Sequence, residues 1–225
     1  MNIFPRFLGW PLLAVFMTII PTAPAAAQGA SAPSLYQING FRSARFGMSL
    51  PQVRQAIAQD FKPGADAVSE VDNAAEGTRV VLVKLGGLEP GPGPAVVSYI
   101  FNQATQQLRH INVVWQSTAA PSEAQRNQYA VAGVQLTRYF RDLSWKPEGS
   151  VVAVANGPGS ILLFAGIDPK DAMVEVVASG IPLSGGPNGQ PAAAPSGPAQ
   201  LRVSYAAAVP ARPAIPAASV PPGAF

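Results

Sequence analysis

Hydrophobic positions change their spacing several times along the chain, and each change marks an element. Val53, Ala56 and Ile57 recur at helical spacing behind Ser49-Leu50-Pro51-Gln52. That tetrad is a capping-box pattern, in which the Ser49 hydroxyl accepts from the backbone at Gln52 and the Gln52 amide reaches back. Pro51 suits a first helical turn, where no N–H is needed. Phe61-Lys62-Pro63-Gly64 then stops the run, so the pattern predicts one short amphipathic helix.

From Thr78 the period becomes two. Runs over 79–85, 95–101 and 108–116 are rich in Val, Ile and aromatics and predict three strands. In the third, Ile111, Val113 and Trp115 share one face while His110, Asn112, Val114 and Gln116 share the other, which predicts a sheet with one covered and one wetter face. Residues 86–94, Gly-Gly-Leu-Glu-Pro-Gly-Pro-Gly-Pro, fit neither a helix nor a central strand and predict a stiff projecting loop. Pro121 opens a longer helical pattern with Tyr129, Ala132, Gly133, Leu136, Phe140 and Leu143 on one stripe, and Arg126, Arg138, Arg141 and Asp142 largely off it. Runs over 150–155, 161–167 and 173–178 follow as strands, joined by turn residues.

The predicted class is therefore α+β, with helices packed on an antiparallel β-sheet in the order α-βββ-α-βββ. That order raises two alternatives. Either the chain holds two αβββ repeats, as the echo of Phe61-Lys62-Pro63 in Trp145-Lys146-Pro147 suggests, or both helices merely share stop chemistry.

The ends read differently. Arg6, an apolar stretch over 7–20 and Ala25-Ala26-Ala27 are the three parts of a cleavable secretory signal peptide over 1–27. A span needs about 20 apolar residues; this stretch is shorter and contains Gly9 and Pro11, so no stable transmembrane segment is expected after cleavage. The expected organisation continues as a flexible lead over 28–40, an α+β domain over 41–181, a Gly/Pro/Ala linker over 182–200, and a short strand with a Pro-rich tail over 201–225. The strand-like run from Leu201 to Tyr205 is either part of an inert tail or an edge strand added to its own sheet or to a partner's. An exported location, periplasmic or secreted, follows from the leader.

Composition excludes more than it assigns. Lys+Arg number 15 against 12 Asp+Glu, a formal charge of +3 that falls by one when Arg6 leaves with the leader. No basic cluster exists to neutralise a run of phosphates, so no nucleic-acid partner is expected. With no cysteine, disulfides, thiol nucleophiles and thiolate metal sites are absent. The one histidine, His110, cannot build an HExxH site, and no G-x-S-x-G or S-x-x-K pattern occurs. No catalytic residue, cofactor or metal ligand is assigned.

The remaining candidates are partner-binding positions. Arg42 and Arg45 lie within Phe41-Arg42-Ser43-Ala44-Arg45-Phe46-Gly47-Met48, where cations interleave with aromatics ahead of a helix and suit an anionic or protein partner. Leu88 and Glu89 sit on the Pro/Gly loop, and Leu201 and Tyr205 on the isolated strand. Glu70, Asp72 and Glu76 cluster in what reads as a solvated loop and supply the raw material for a carboxylate hydrolase.

Arg45-Phe46-Gly47-Met48-Ser49 followed by Val53 and Ile57 resembles the FGMS-x-x-x-V start of many small exported bacterial α/β proteins. These include the outer-membrane-assembly small lipoprotein and β-lactamase-inhibitor-like modules. The likeness covers about one helix, and this chain departs from the lipoproteins in having no cysteine to lipidate. Leu88-Glu89-Pro90-Gly91-Pro92-Gly93-Pro94-Ala95, Val97-Ser98-Tyr99-Ile100-Phe101 and residues 108–115 resemble an uncharacterised family of exported proteins of Gram-negative bacteria. That resemblance implies an envelope location and no particular activity. The expectation is a non-catalytic binding or assembly module of the periplasm whose partner is an envelope protein. The alternatives are a carboxylate-based envelope hydrolase, or an inhibitor presenting the Pro/Gly loop to an enzyme.

Overall fold

The computed structural model describes residues 34–182 and 195–208. The leader expected over 1–27, the start of the lead, most of the linker and the tail beyond residue 208 lie outside the described residues.

The first helix starts at its expected cap, and the second starts two residues after Pro121. Helix α1 spans Leu50–Phe61; Ser49 N–H donates to Gln52 Oε1 at 2.9 Å. It ends at Lys62, which is left-handed (φ 47°) and donates its N–H back to Ala58 O. Helix α2 spans Glu123–Arg141 and carries a capping box built from Ser122 and Gln125, whose reciprocal bonds measure 2.9 and 3.2 Å. Its buried stripe is Tyr129, Ala132, Gly133, Leu136 and Phe140, the predicted face without Leu143, which falls past the helix end. Gly133 lets the helix approach the sheet, since a Cβ there would lie 2.6 Å from Leu163 Cδ1.

A two-stranded hairpin, β1 (Gly40–Phe41) and β2 (Ala44–Arg45), precedes α1. The remaining strands are β3 (Val68–Asn73), β4 (Thr78–Leu85), β5 (Ala95–Asn102), β6 (Gln107–Gln116), β7 (Ser150–Ala155), β8 (Ser160–Ile167), β9 (Met173–Ser179) and β10 (Gln200–Ala206). They form one eight-stranded antiparallel sheet in the order β3-β4-β5-β6-β10-β9-β8-β7. Each helix is thus followed by four strands, and the two meanders meet where β6 pairs β10.

Burial alternates along the central strands with period two, and the buried set lies on one face. Val97, Tyr99, Ile111, Val113, Val174, Val176, Leu201 and Val203 are at most 2% exposed. Both helices cover that face, α1 over the β6 side and α2 over β8, β9 and β10. Aromatic rings knit the second half, with Phe140 stacked on Phe164 at 5.6 Å and Trp145 tilted against Phe164 at 5.5 Å. Full burial of each such ring contributes on the order of 1.5–3 kcal/mol.

Four expectations need correcting. The strand from Leu201 to Tyr205 is no edge: β10 is hydrogen-bonded on both sides, to β6 and to β9, and is integral to the sheet. The acidic segment read as a loop is edge strand β3, in which Arg54 pairs Glu70 and Arg79 pairs Asp72. Ion pairs and ladder bonds hold it, so it shows little apolar alternation. The Pro/Gly loop does not project. Trp115 Nε1 donates to Leu88 O at 2.7 Å, and Gly91 lies so close that a Cβ would sit 2.2 Å from that nitrogen. Lastly, Phe41 and Arg45 belong to the β1–β2 hairpin, which the sequence reading did not anticipate.

The two sheet edges differ in chemistry. Strand β3 carries acidic side chains in ion pairs, whereas β7, Ser-Val-Val-Ala-Val-Ala, is exposed along its whole length and uncharged. Among the described residues no helix is long and apolar enough to cross a membrane.

Candidate functional site

The β1–β2 hairpin fixes both arginine candidates. Gly40 (φ 142°) is required, because a Cβ there would meet Ala44 O at 2.1 Å. Ser43 ties the turn to the last turn of α1: its N–H donates to Asp60 Oδ2 at 2.9 Å and its hydroxyl to Asp60 Oδ1 at 2.6 Å. Arg42, left-handed at φ 52°, lays its guanidinium over the Phe61 ring, 4.9 Å from the centroid. From there it borders a cleft of about 490 Å³ with Tyr36, Phe41, Pro90, Tyr139 and Tyr205. Arg45 lines a different cleft, so the two cations do not form one patch.

The loop and strand candidates are mostly internal. Leu88 is buried with its carbonyl held by Trp115, while Glu89 beside it is exposed. Leu201 is 0% and Tyr205 9% exposed; both point to the helix side, and Tyr205 stacks on Phe41 at 5.6 Å. Burial pushes the Tyr205 hydroxyl far above its usual range, so it stays protonated.

The two acidic side chains of β3 are each engaged by an arginine. Glu70 is engaged by Arg54, and the Arg79 side chain hydrogen-bonded to Asp72 holds that carboxyl below its ordinary value, ionised at neutral pH and unable to act as a proton donor. Among the described residues no group of three or more His, Asp or Glu side chains stands ready to hold a metal.

The largest feature without a structural duty is the second face of the sheet, which neither helix covers. Strand registry sorts its side chains into rows. One row runs Val96, Val114, Arg202, Val177, Leu162 and Val154 across β5 to β7. Its neighbour holds Ser98, Asn112, Ser204 and Glu175, with Ser204 Oγ donating to Asn112 Oδ1 at 2.6 Å. A third contains Val80, Ile100, His110, Met173 and Ile167. Most of these side chains are half-buried; Val154 and Ile167 are 46% and 38% exposed. Although His110 is exposed, neighbouring groups desolvate its imidazole in part and lower its pKa from the usual value, and Arg109 adds to the shift.

Arg202 occupies the middle of the first row, between Val114 and Val177, and makes no ion pair among the described residues. Glu175, two residues along β9 from Val177, is its nearest carboxylate by registry and makes no ion pair with it. Sequence reasoning found this strand and named its inward positions, Leu201 and Tyr205. The outward ones, Arg202 and Ser204, are those a partner can reach. The signal was present, because apolar residues at 201, 203 and 205 point the intervening positions outward.

The chain matches no family model, no curated protein and no solved structure.

Proposed function

We propose that the chain is a non-catalytic binding module of the cell envelope that docks a folded partner protein on the bare face of its sheet. The unpaired Arg202 set among aliphatic side chains at the centre of that face carries the reading. Arginine is among the residues enriched at binding hot spots, and here it lies between Val114 and Val177 with polar rows on either side. Size supports it too. Seven strand spacings of about 4.8 Å and six residues of about 3.3 Å give roughly 34 by 20 Å, or roughly 700 Å². A standard interface takes about 800 Å² per partner. The envelope location rests on the leader-like residues 1–27 and on the resemblances to exported proteins. Within this reading the two helix-plus-meander halves are copies of one unit joined at β6 and β10.

Crosslinking in an envelope fraction tests it, comparing the parent with Arg202→Glu and with Arg138→Glu on the helix side. A specific partner lost only with Arg202→Glu is expected. Retention of that partner by Arg202→Glu, or turnover of peptidoglycan or ester substrates by the purified protein, overturns the reading.

A further inference from the structure

Three cations without carboxylate partners reach one cleft from three separate parts of the fold. The cleft, of about 540 Å³, is lined by Arg45, Arg109 and Lys170 around an apolar floor that includes Ile38, Phe46 and Ala172. None of its lining residues belongs to the rows of the bare face.

The two guanidinium groups are hydrogen-bonded in place, and the third cation is positioned through its backbone. Arg45 closes the β1–β2 hairpin, and its Nη1 donates to the carbonyls of Arg42 and Ala44. Arg109 is the extra residue of a β-bulge: Ile100 pairs His110 while Phe101 pairs Leu108, which leaves Arg109 unopposed. Bulges re-aim side chains and recur beside functional sites. Its Nη2 donates to Ala208 O at 2.7 Å. Lys170 sits on the β8–β9 turn, whose shape is set by the buried Asp168. That carboxylate accepts from Lys170 N–H at 2.7 Å and Ala172 N–H at 2.9 Å.

Local charge is not balanced from within. All twelve acidic side chains lie among the described residues, and none pairs with Arg45, Arg109 or Lys170. Asp171 on the same turn is engaged by Lys146 at 3.1 Å. Asp168 is the carboxylate beneath the cleft, and three backbone N–H groups already occupy it.

We propose that this cleft binds a phosphomonoester, with the dianionic phosphate held by Arg45, Arg109 and Lys170 and the organic part lying against Ile38 and Phe46. Two fixed guanidinium forks and a mobile ammonium suit a multiply charged tetrahedral anion, whose oxygens accept from several directions. A lone carboxylate is satisfied by a single guanidinium. The chemistry is shared by a soluble sugar phosphate and by a phosphomonoester lipid headgroup.

Calorimetric titration of the full chain with glycerol 3-phosphate at low salt, with glycerol as the neutral control, tests the soluble source. Flotation with phosphatidic acid vesicles, against phosphatidylcholine vesicles, tests the headgroup. Lys170→Gln and Arg109→Gln are each expected to weaken binding by about tenfold, and rising salt to weaken it further. Lys84→Gln, an equal charge loss on the other face, should leave it unchanged. Lys170 is exposed and contributes only its backbone to the turn, so Lys170→Gln should keep the parent's melting temperature. Binding of either probe that depends on Lys170 and Arg109 supports the site and identifies the source. No binding of either probe, or binding indifferent to Lys170→Gln and Arg109→Gln, overturns it.

Discussion

Asp168 is the one buried charged residue among those described, 1% exposed, and its two oxygens bind three segments together. Oδ2 accepts from Ile38 N–H at 2.9 Å, while Oδ1 accepts from Lys170 and Ala172 N–H. The N-terminal lead is thereby pinned to the β8–β9 turn 130 residues away. Asp168→Ala removes both acceptor oxygens and all three bonds. Lys170 lies at the surface, where water replaces the lost bond, but Ile38 and Ala172 are each 4% exposed and their N–H groups are left unsatisfied. An orphaned buried donor costs about 1–3 kcal/mol, so the two together cost about 2–6 kcal/mol. For a chain of this length that corresponds to a fall in melting temperature of about 4–24 °C. Asp168→Asn keeps an oxygen for the turn but turns an amide N–H₂ toward the Ile38 N–H, so roughly half the loss is expected. Urea and thermal melts followed by circular dichroism, with amide exchange at Ile38, measure both variants. A loss below about 1 kcal/mol for the alanine variant, or equal losses for the two, refutes this account of the clasp.

Three further outcomes follow from the same geometry. The imidazole of His110 should titrate below the ordinary 6.5, because partial desolvation and Arg109 disfavour its charged form. The unfolded chain then binds the proton more readily, so stability falls as pH drops below 6.5, and His110→Gln removes that slope. A midpoint at or above 6.5 in an NMR titration contradicts it. Gly91→Ala should lift the Pro/Gly loop off Trp115 and shift the tryptophan emission to the red; an unchanged spectrum and melt would mean the loop does not rest there. Gly40→Ala, strained both by φ and by the Ala44 carbonyl, should cost at least about 2 kcal/mol in a urea melt. A cost within about 0.5 kcal/mol of zero rules out the hairpin geometry.

Much of the fold was written locally. The Ser49 cap, Pro121, the helix stripes and the apolar runs placed both helices and seven of the eight sheet strands to within about two residues, because burial on one face imposes a period that survives in sequence. Strand β3 escaped because an edge strand held by Arg54–Glu70 and Arg79–Asp72 pairs needs no apolar face. The position of β10 escaped for another reason: Gln200 meets Gln116 across 84 residues, and such pairing leaves no local mark. The sites were legible only as fragments. Arg202 follows from the parity of its strand, but the convergence of Arg45, Arg109 and Lys170 depends on a bulge, a hairpin and a clasped turn.

The central place of β10 also governs when the molecule can exist at all. Each meander is built from neighbours in sequence, yet β6 and β9 are joined only through Gln200–Ala206. A nascent chain that has released everything up to Ile181 therefore holds two half-sheets whose open edges face each other with nothing between them. Closure of long-range β pairing is intrinsically slow, and here it waits for residues 200–206 to be synthesised. The strand that completes the sheet acts as a timer on the whole fold.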